Sequence, residues 1–468
     1  MRVSLHGKGR NLADLLRKAG HPLDMRCGGH GTCGRCRVRL IAGECQLRGE
    51  AIKAPAELLA CRAVLLTEQA DVELEERFMA PDTSCAVLDS WQNLHPMPAL
   101  QELVIGIDIG TTTLAASALC NGRIVARETR LNPQVRFGDN VISRISAAGS
   151  HLAELRQVLL ETLAEMLQSM PRPARVAIAG NSTMSCLFHG VDPSPMGHAP
   201  FALPRRSFMP ISAECLGLPA NVPLYTMPMI SAFLGGDVLG GIRETNLAPG
   251  DLFIDIGTNC EMVFCTQAED LVGTAAAAGP AFEGAGISCG MRAIPGAICH
   301  YRGAGDFDMI HGEKPQGSPM GLCGSAMVDF LAVLHRAGHL SRFGRYVPSA
   351  TTWEVAPGID LTERDIEQLL KAKGAVSAGI SCLEEHCGMK CRRLVLAGGF
   401  AQFLTLPNAV SIGMLPDKPA LIVGNTSLAS AVRLAAEPDH IPSSQAITQV
   451  HLNDIPGFGL RFMQGMML

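Results

Sequence analysis

LVIGIDIGTTTLAASAL, residues 103–119, decides the fold. An apolar run ends at Asp108, turns through Gly110, Thr111 and Thr112 to Thr113, and enters a second apolar run, which reads as a strand hairpin. The glycine leaves the turn open, so backbone N–H groups and threonine hydroxyls can donate to phosphate oxygens. The aspartate then reaches Mg²⁺, usually through water. One D-x-G-T turn is a common accident. A second, LFIDIGTNCEMVF at 252–264, sets Asp255, Gly257, Thr258 and Asn259 in register with the first, 147 residues on. Glu261 alternates onto the same strand face as residues 257 and 259. Orienting a water and standing as a solvated strand residue are both open readings for it.

A third element is RRLVLAGGF at 392–400, an apolar strand running into Gly398 and Gly399, which allow close approach to an adenosine ring or ribose. Neither a Rossmann G-x-G-x-x-G nor a Walker G-x-x-x-x-G-K-[ST] is present. GLCGSAMVDFL (321–331) reads as a helix opening on Gly324, with Ser325 as a cap, and helix N-termini suit anions. A plain helix crossing at Gly324 is the rival. AGNSTM (179–184) reads as strand, turn and helix, capped by Asn181 or Ser182. No lysine lies in either hairpin, so phosphate charge must be met by Mg²⁺, N–H groups or an arginine from elsewhere.

Outward from this pair of hairpins, the N-terminal segment carries different chemistry. RCGGHGTCGRC and LLACR place Cys27, Cys33, Cys36 and Cys61 as C-x5-C-x2-C with a distant fourth thiol. Zinc sites favour two C-x2-C pairs, whereas plant-type [2Fe–2S] loops run C-x4-C-x2-C with a distant fourth cysteine, one residue shorter than here. Glycines 28, 29, 31 and 34 let the loop fold tightly and aim N–H groups at sulfur. RVSL as a strand, NLADLLRKAG as a short helix and RCRVRLIAGE as a strand suit a β-grasp ferredoxin, with the first hairpin shortened. Cys45 reads as a bystander. Residues 79–102, with three prolines and no steady period, read as a linker.

Composition bounds the rest. The 468 residues are 47% apolar, 18% charged and 4% aromatic, with 17 cysteines and a net charge of −5. That excludes a disordered chain and, with no strongly basic half, argues against nucleic acid. No export signal and no run of ~18 apolar residues is present, so a cytoplasmic protein with reduced thiols and no membrane span is expected. Cys382, Cys387, Cys391 and His386 in SCLEEHCGMKC match no common metal-ligand spacing and read as buried thiols.

The two hairpins and the later AGG turn resemble the ASKHA superfamily of acetate and sugar kinases, heat-shock chaperones and actin. Longer strings narrow the resemblance: LNPQVRFGDNVISRI, AGNSTM, AAGPAFEGAGISCGM, GLCGSAMVDF, AKGAVSAGI, AGGFAQFLTLPNAVSIGMLPD and GNTSLASA. With the N-terminal cysteines, the whole chain is similar to the reductive activators of corrinoid-dependent enzymes. The resemblance implies an α/β chain. A β-grasp [2Fe–2S] ferredoxin (1–78) and the linker (79–102) precede a duplicated, ribonuclease H-like ASKHA ATPase (103–468, halves about 103–248 and 249–468). The family's middle domain is expected to be missing, because the DIGTTT strand begins so soon after Cys61.

The implied activity uses ATP to return cob(II)alamin to cob(I)alamin on a partner corrinoid protein or methyltransferase, with electrons from a low-potential donor. Implied cofactors are a [2Fe–2S] cluster, ATP and Mg²⁺. Asp108 and Asp255 take Mg²⁺ and water. Residues 110–113, 257–259, 324–325 and 398–399 take the nucleotide. The glycine-rich segment 277–297 faces either the partner's corrinoid, through Glu283 or Ser288, or the ATP phosphates. The chain has no D-x-H-x-x-G loop of the kind that holds cobalamin from below, so the corrinoid is expected on another protein. Activation of another low-potential enzyme, or a non-hydrolysing ferredoxin–nucleotide sensor, are the competing readings.

Overall fold

In the computed structural model, strand β1 (Arg2–His6) turns Val3 and Leu5 inward and the chain enters helix α1 (Leu12–Lys18) directly. The structure describes residues 1–21, 23, 36–47, 49–74, 96–138, 140–257, 259–310, 318–440 and 447–468. Asn11 caps α1, its side chain accepting from the N–H groups of Ala13 and Asp14, and Leu12, Leu15 and Leu16 are buried. Burial of each such leucine is worth about 1.5–3 kcal/mol, which is what holds a two-turn helix in place. There follow β2 (Arg37–Ala42), β3 (Glu44–Leu47), β4 (Glu50–Lys53), β5 (Ala56–Leu59), β6 (Ala63–Leu65) and β7 (Gln69–Glu73). They form a four-stranded sheet, β1-β7-β2-β5, and a three-stranded one, β4-β3-β6. A single strand therefore precedes the helix, and it pairs antiparallel with β7.

The next half holds β8 (Val104–Ile109), β9 (Thr113–Cys120), β10 (Arg123–Leu131), α2 (Val141–Gln168), β11 (Arg175–Gly180), α3 (Ser182–His189), β12 (Ile211–Ser212), β13 (Pro223–Thr226) and α4 (Gly236–Thr245). Its sheet order is β10-β9-β8-β11-β13-β12. The last half opens with β14 (Asp251–Ile256), β15 (Cys260–Cys265) and β16 (Leu271–Ala276). A small sheet follows, made of β17 (Ala297–Gly303), β18 (Asp306–Met309) and β19 (Gly321–Leu322). Then come α5 (Gly324–Arg336), the hairpin β20 (Thr352–Ala356) and β21 (Ile359–Thr362), and α6 (Glu363–His386). The chain closes with β22 (Arg393–Ala397), α7 (Gly399–Gln402), α8 (Leu406–Ser411), β23 (Ala420–Gly424), α9 (Thr426–Ala436), β24 (Ile447–Gln449) and α10 (Phe458–Gly465).

The second large sheet runs β23-β22-β14-β15-β16-β24. Five of its strands repeat the first sheet, with β14, β15, β16, β22 and β23 standing where β8, β9, β10, β11 and β13 stand, in the same directions. The sixth strand breaks the repeat: β12 flanks β13, whereas β24 flanks β16. Both D-x-G turns are thus the same β-hairpin of a duplicated unit. The AGG turn after β22 is the counterpart of the AGN turn after β11.

The halves meet through α4 and α9. A Cβ on Gly240 would lie 2.0 Å from Ser430 Oγ, and one on Gly106 2.2 Å from the Val432 backbone nitrogen. Only glycine admits so close a crossing. One buried cluster joins Val104 and Leu119 of the first sheet to Phe253, Val395 and Leu428 of the second half. No helix of the described residues is long and apolar enough to cross a membrane.

Candidate functional site

A cavity of about 310 Å³ opens between the halves, and nearly every residue expected to touch nucleotide lines it. Asp108, Gly110, Thr111, Thr112 and Thr113 come from the first hairpin; Asp255, Gly257, Asn259 and Glu261 come from the second. Gly324 and Ser325 at the start of α5, and Gly398 and Gly399 after β22, complete it. Thr258 lies outside the described residues. Gly398 has φ +89°, and a Cβ there would sit 2.5 Å from an Asp255 carboxylate oxygen. That explains a glycine where the turn meets the hairpin. Ser325 is not a cap: Cys323 is the N-cap residue of α5, and Ser325 Oγ donates to the Cys299 carbonyl at 2.6 Å. Asn181 caps α3 and donates through Nδ2 to Thr111 Oγ1 at 2.9 Å, which ties the AGN turn to the first hairpin.

The two hairpin aspartates differ. Both Asp108 carboxylate oxygens accept bonds from α9, from Ser427 Oγ at 2.7 Å and Asn425 Nδ2 at 2.9 Å. Burial pushes its carboxyl up, and those two bonds pull it back. Asp255 has no such side-chain donor among the described residues. Burial, and then the charge of Asp108, raise it to about 7. Glu261 stands directly across the β14–β15 pair from Asp255, buried and facing the cleft rather than solvent. Burial raises its carboxyl well above the usual range, helped by Asp237 and Asp255.

Asp237 is a cleft carboxylate that sequence reasoning missed. It sits in the first turn of α4, faces the cleft and is raised to about 7 by burial and by Asp255. Its signal was available in GGDVLGG, an acid flanked by paired glycines where a helix must pack tightly. Asp108, Asp237, Asp255 and Glu261, four of the five carboxylates that line the cleft, are thus raised by burial, an arrangement that calls for a cation. Among the described residues no group of three or more His, Cys, Asp or Glu is arranged to hold a metal ion directly.

The segment 277–297 divides. Glu283 lines the cleft and accepts from Thr112 Oγ1 at 3.2 Å, and a Cβ on Gly257 would lie 3.6 Å from its other oxygen, so it spans both hairpins. Arg292, further along, also lines the cavity. Ser288 points elsewhere. Its N–H and Oγ both donate to Asp365, at 2.8 and 2.6 Å, where Asp365 completes the capping box of α6.

In the N-terminal unit, Cys36 begins the turn into β2 and Cys61 follows β5, its strand partner. Their sulfurs lie 3.1 Å apart, and Asn11 Nδ2 holds the Cys61 carbonyl at 3.0 Å. The neighbouring Cys61 thiol brings Cys36 down to about 7 against burial, the direction a thiolate ligand needs. Cys27 and Cys33 lie outside the described residues. Cys45 is buried in β3 and raised by burial, as are Cys382 and Cys391 in and after α6, whereas Cys387, read as buried, is half-buried and also raised.

Comparison with known proteins accounts for all three parts. A model of the 2Fe–2S iron–sulfur cluster binding domain matches residues 3–66. The RACo middle region matches 103–249, and the C-terminal ASKHA domain of RACo matches 250–468. The chain belongs to the RACo family. The reading that the middle domain is missing is therefore wrong. What is short in this RACo protein is the connection after Cys61; the middle region is the half from β8 to α4, with its own six-stranded sheet. Family membership gives the chain a 2Fe–2S domain and an ATP-binding ASKHA domain.

Two curated relatives are similar along most of the chain. One is the corrinoid activation enzyme RamQ of Eubacterium limosum, 27% identical over 88% of both chains. The other is the [Co(II) methylated amine-specific corrinoid protein] reductase of Methanosarcina barkeri, 28% identical over 67% of both. Among solved structures, a reductive activator for corrinoid, iron–sulfur protein superposes with a TM-score of 0.68 at 25% identity, covering 99% of this chain and 96% of that one.

Proposed function

We propose that this RACo protein is an ATP-dependent reductive activator that returns the Co(II) corrinoid of a partner protein to Co(I). The observation that carries the reading is the pairing, in one chain, of converging Cys36 and Cys61 with a cleft lined by both hairpins and the AGG turn. Relatives named for corrinoid activation and reduction support it. Cys27, Cys33, Cys36 and Cys61 would hold a [2Fe–2S] cluster, which supplies one-electron transfer when bound.

Within the cleft, the first hairpin and Asn259 hold the ATP phosphates, Arg292 offsets their charge, and Gly398 and Gly399 admit the adenosine. Asp255 and Glu261 would hold Mg²⁺, which supplies charge neutralisation at the phosphates when bound. Asp237 orients the attacking water, since a carboxyl near pH 7 can accept a proton at neutral pH. Glu283, which touches Thr112 across the halves, makes closure depend on both hairpins.

Reduction of a Co(II) corrinoid from a ferredoxin-level donor is uphill, and each ~59 mV of gap costs a factor of about ten for one electron. Coupling release of the partner to ATP hydrolysis offsets that gap. The test is anaerobic: this protein, a low-potential reductant, Mg·ATP and a Co(II) corrinoid protein are mixed and the cobalt spectrum followed. Co(I) should accumulate only with hydrolysable ATP. Equal accumulation without ATP overturns the role given to the ASKHA domain.

A further inference from the structure

The segment after β10 belongs to no part of the nucleotide site described above, yet it is buried against the back of the first hairpin. Asn132, Gln134 and Arg144 are all fully buried. Asn132 Nδ2 donates to the Gly110 carbonyl at 2.8 Å, and the Asn132 N–H donates to the Thr112 carbonyl at 2.9 Å. Arg144, in the first turn of α2, donates through Nη2 to the Thr111 carbonyl. Its other donors reach the Gly138 carbonyl at 3.1 Å, Gln134 Oε1 at 3.3 Å and Met184 Sδ at 3.2 Å, which fix the guanidinium from three sides. All three carbonyls of the turn 110–112 are therefore drawn toward one segment, 132–144.

A trans peptide sets each C=O antiparallel to the next N–H. Pulling the Gly110 and Thr111 carbonyls back turns the N–H groups of Thr111 and Thr112 forward. Among the described residues neither N–H has a protein acceptor, and both residues line the cleft. At the duplicated hairpin the Gly257 N–H reaches the Asn259 carbonyl at 2.8 Å.

We infer that Asn132 and Arg144 form a positioning bracket that presents the Thr111 and Thr112 N–H groups to the nucleotide's phosphates. The first half then meets the phosphates with pre-aimed backbone donors, while the carboxylates of the second hairpin serve the cation that accompanies them. The inference rests on the ATP reading of the cleft.

Two variants of the full chain test it. Arg144→Lys keeps the charge but loses the planar fork. Asn132→Ser keeps an oxygen able to cap the Gln134 N–H, which Asn132 Oδ1 accepts at 3.0 Å, but is too short to reach Gly110. Dissociation constants are measured for Mg·ATP by calorimetry and for adenosine by ligand-observed NMR, with thermal melting to confirm folding. Each folded variant should bind Mg·ATP about tenfold or more weaker, the loss of roughly one such hydrogen bond, with adenosine within twofold of the parent. Mg·ATP affinity within twofold of the parent overturns the bracket, as does a parallel loss for adenosine, which marks a merely structural role. If Arg144→Lys does not fold, Asn132→Ser decides. A parent protein that binds no Mg·ATP overturns the ATP reading itself, a result distinct from either.

Discussion

Asp108 and Asp255 occupy the same position in two copies of one hairpin, yet Asp108 is latched to α9 through Ser427 and Asn425 while Asp255 is raised to about 7 in the cleft. Duplication produced two aspartates, and packing gave them two surroundings. Because α9 crosses the first sheet at Gly106, the Asp108 latch holds a helix of the second half against the first strand of the other.

Substitution should separate them. Asp108→Asn leaves one oxygen where two accepted, and hydrogen bonds to an ionised group are worth about 1.5–3 kcal/mol each. The nucleotide-free protein should lose about 2 kcal/mol and melt earlier. Asp255→Asn removes a desolvated charge, so its melting temperature should hold or rise while phosphate release falls about a hundredfold or more. Scanning calorimetry paired with a phosphate-release assay reads both. Equal destabilisation by the two substitutions would remove the distinction.

Proton traffic should accompany nucleotide binding. Asp237 and Asp255 are both raised to about 7, so near neutral pH the empty cleft holds roughly one proton between them. Mg²⁺ favours the ionised forms of these two and of Glu261, which burial also raises, so binding of Mg·ATP should release about one proton or more at pH 7 and fewer as pH rises. Titration calorimetry in two buffers of different ionisation enthalpy measures it directly. The sign for stability is the reverse of a salt-bridged carboxylate: the folded values lie above the unfolded ones, so the empty protein loses stability as pH rises from about 4 through 7. Mg·ATP should remove that slope.

Much of this was legible in the sequence, for a definite reason. Hairpin turns and cysteine loops are local, so Asp108, Gly257, Gly398 and the four cysteine positions announce themselves by spacing. Asp237 and the Asn132–Arg144 bracket do not, because their meaning comes from elements that meet only after the sheet has formed. The short connection after Cys61 suggested a lost domain because chain length between motifs was taken as a measure of domains, while the middle region itself carries the first motif. Glu283 and Ser288 stand five residues apart in one glycine-rich loop, yet one enters the cleft and the other donates to Asp365 in the first turn of α6. A loop without period gives no facing for its side chains.

His189 should make the first half acid-sensitive. It stacks on Phe208 with ring centroids 3.7 Å apart, and Nε2 meets Thr226 Oγ1 at 2.8 Å. Burial lowers it to about 4, with Arg156 and Arg205 adding to the effect. The folded value lies below the unfolded one, so its contribution is fully present above about pH 6.5 and is lost as pH falls toward 4. At most about 3 kcal/mol is at stake. Urea unfolding with Mg·ATP bound, which removes the opposing slope of the cleft carboxylates, should show stability falling from pH 6.5 toward 4 in the parent protein and falling less in His189→Gln; identical slopes would assign the acid sensitivity to other groups.

Cysteine substitution tests the electron-carrying half independently of the cleft. Cys36→Ser and Cys61→Ser each remove one of two sulfurs that already converge at 3.1 Å. Both should lose bound iron, and the visible absorbance of a [2Fe–2S] centre, after anaerobic reconstitution. Corrinoid reduction should be lost with them. Mg·ATP hydrolysis measured without a corrinoid partner should stay within about twofold, because the nucleotide residues come from 108 onward. Cys45→Ser is the control: that thiol is buried in β3 and pushed up by burial, so its loss should cost about 1–3 kcal/mol of stability and leave the iron content intact. Iron retained in Cys61→Ser but lost in Cys45→Ser would reassign the fourth ligand to Cys45.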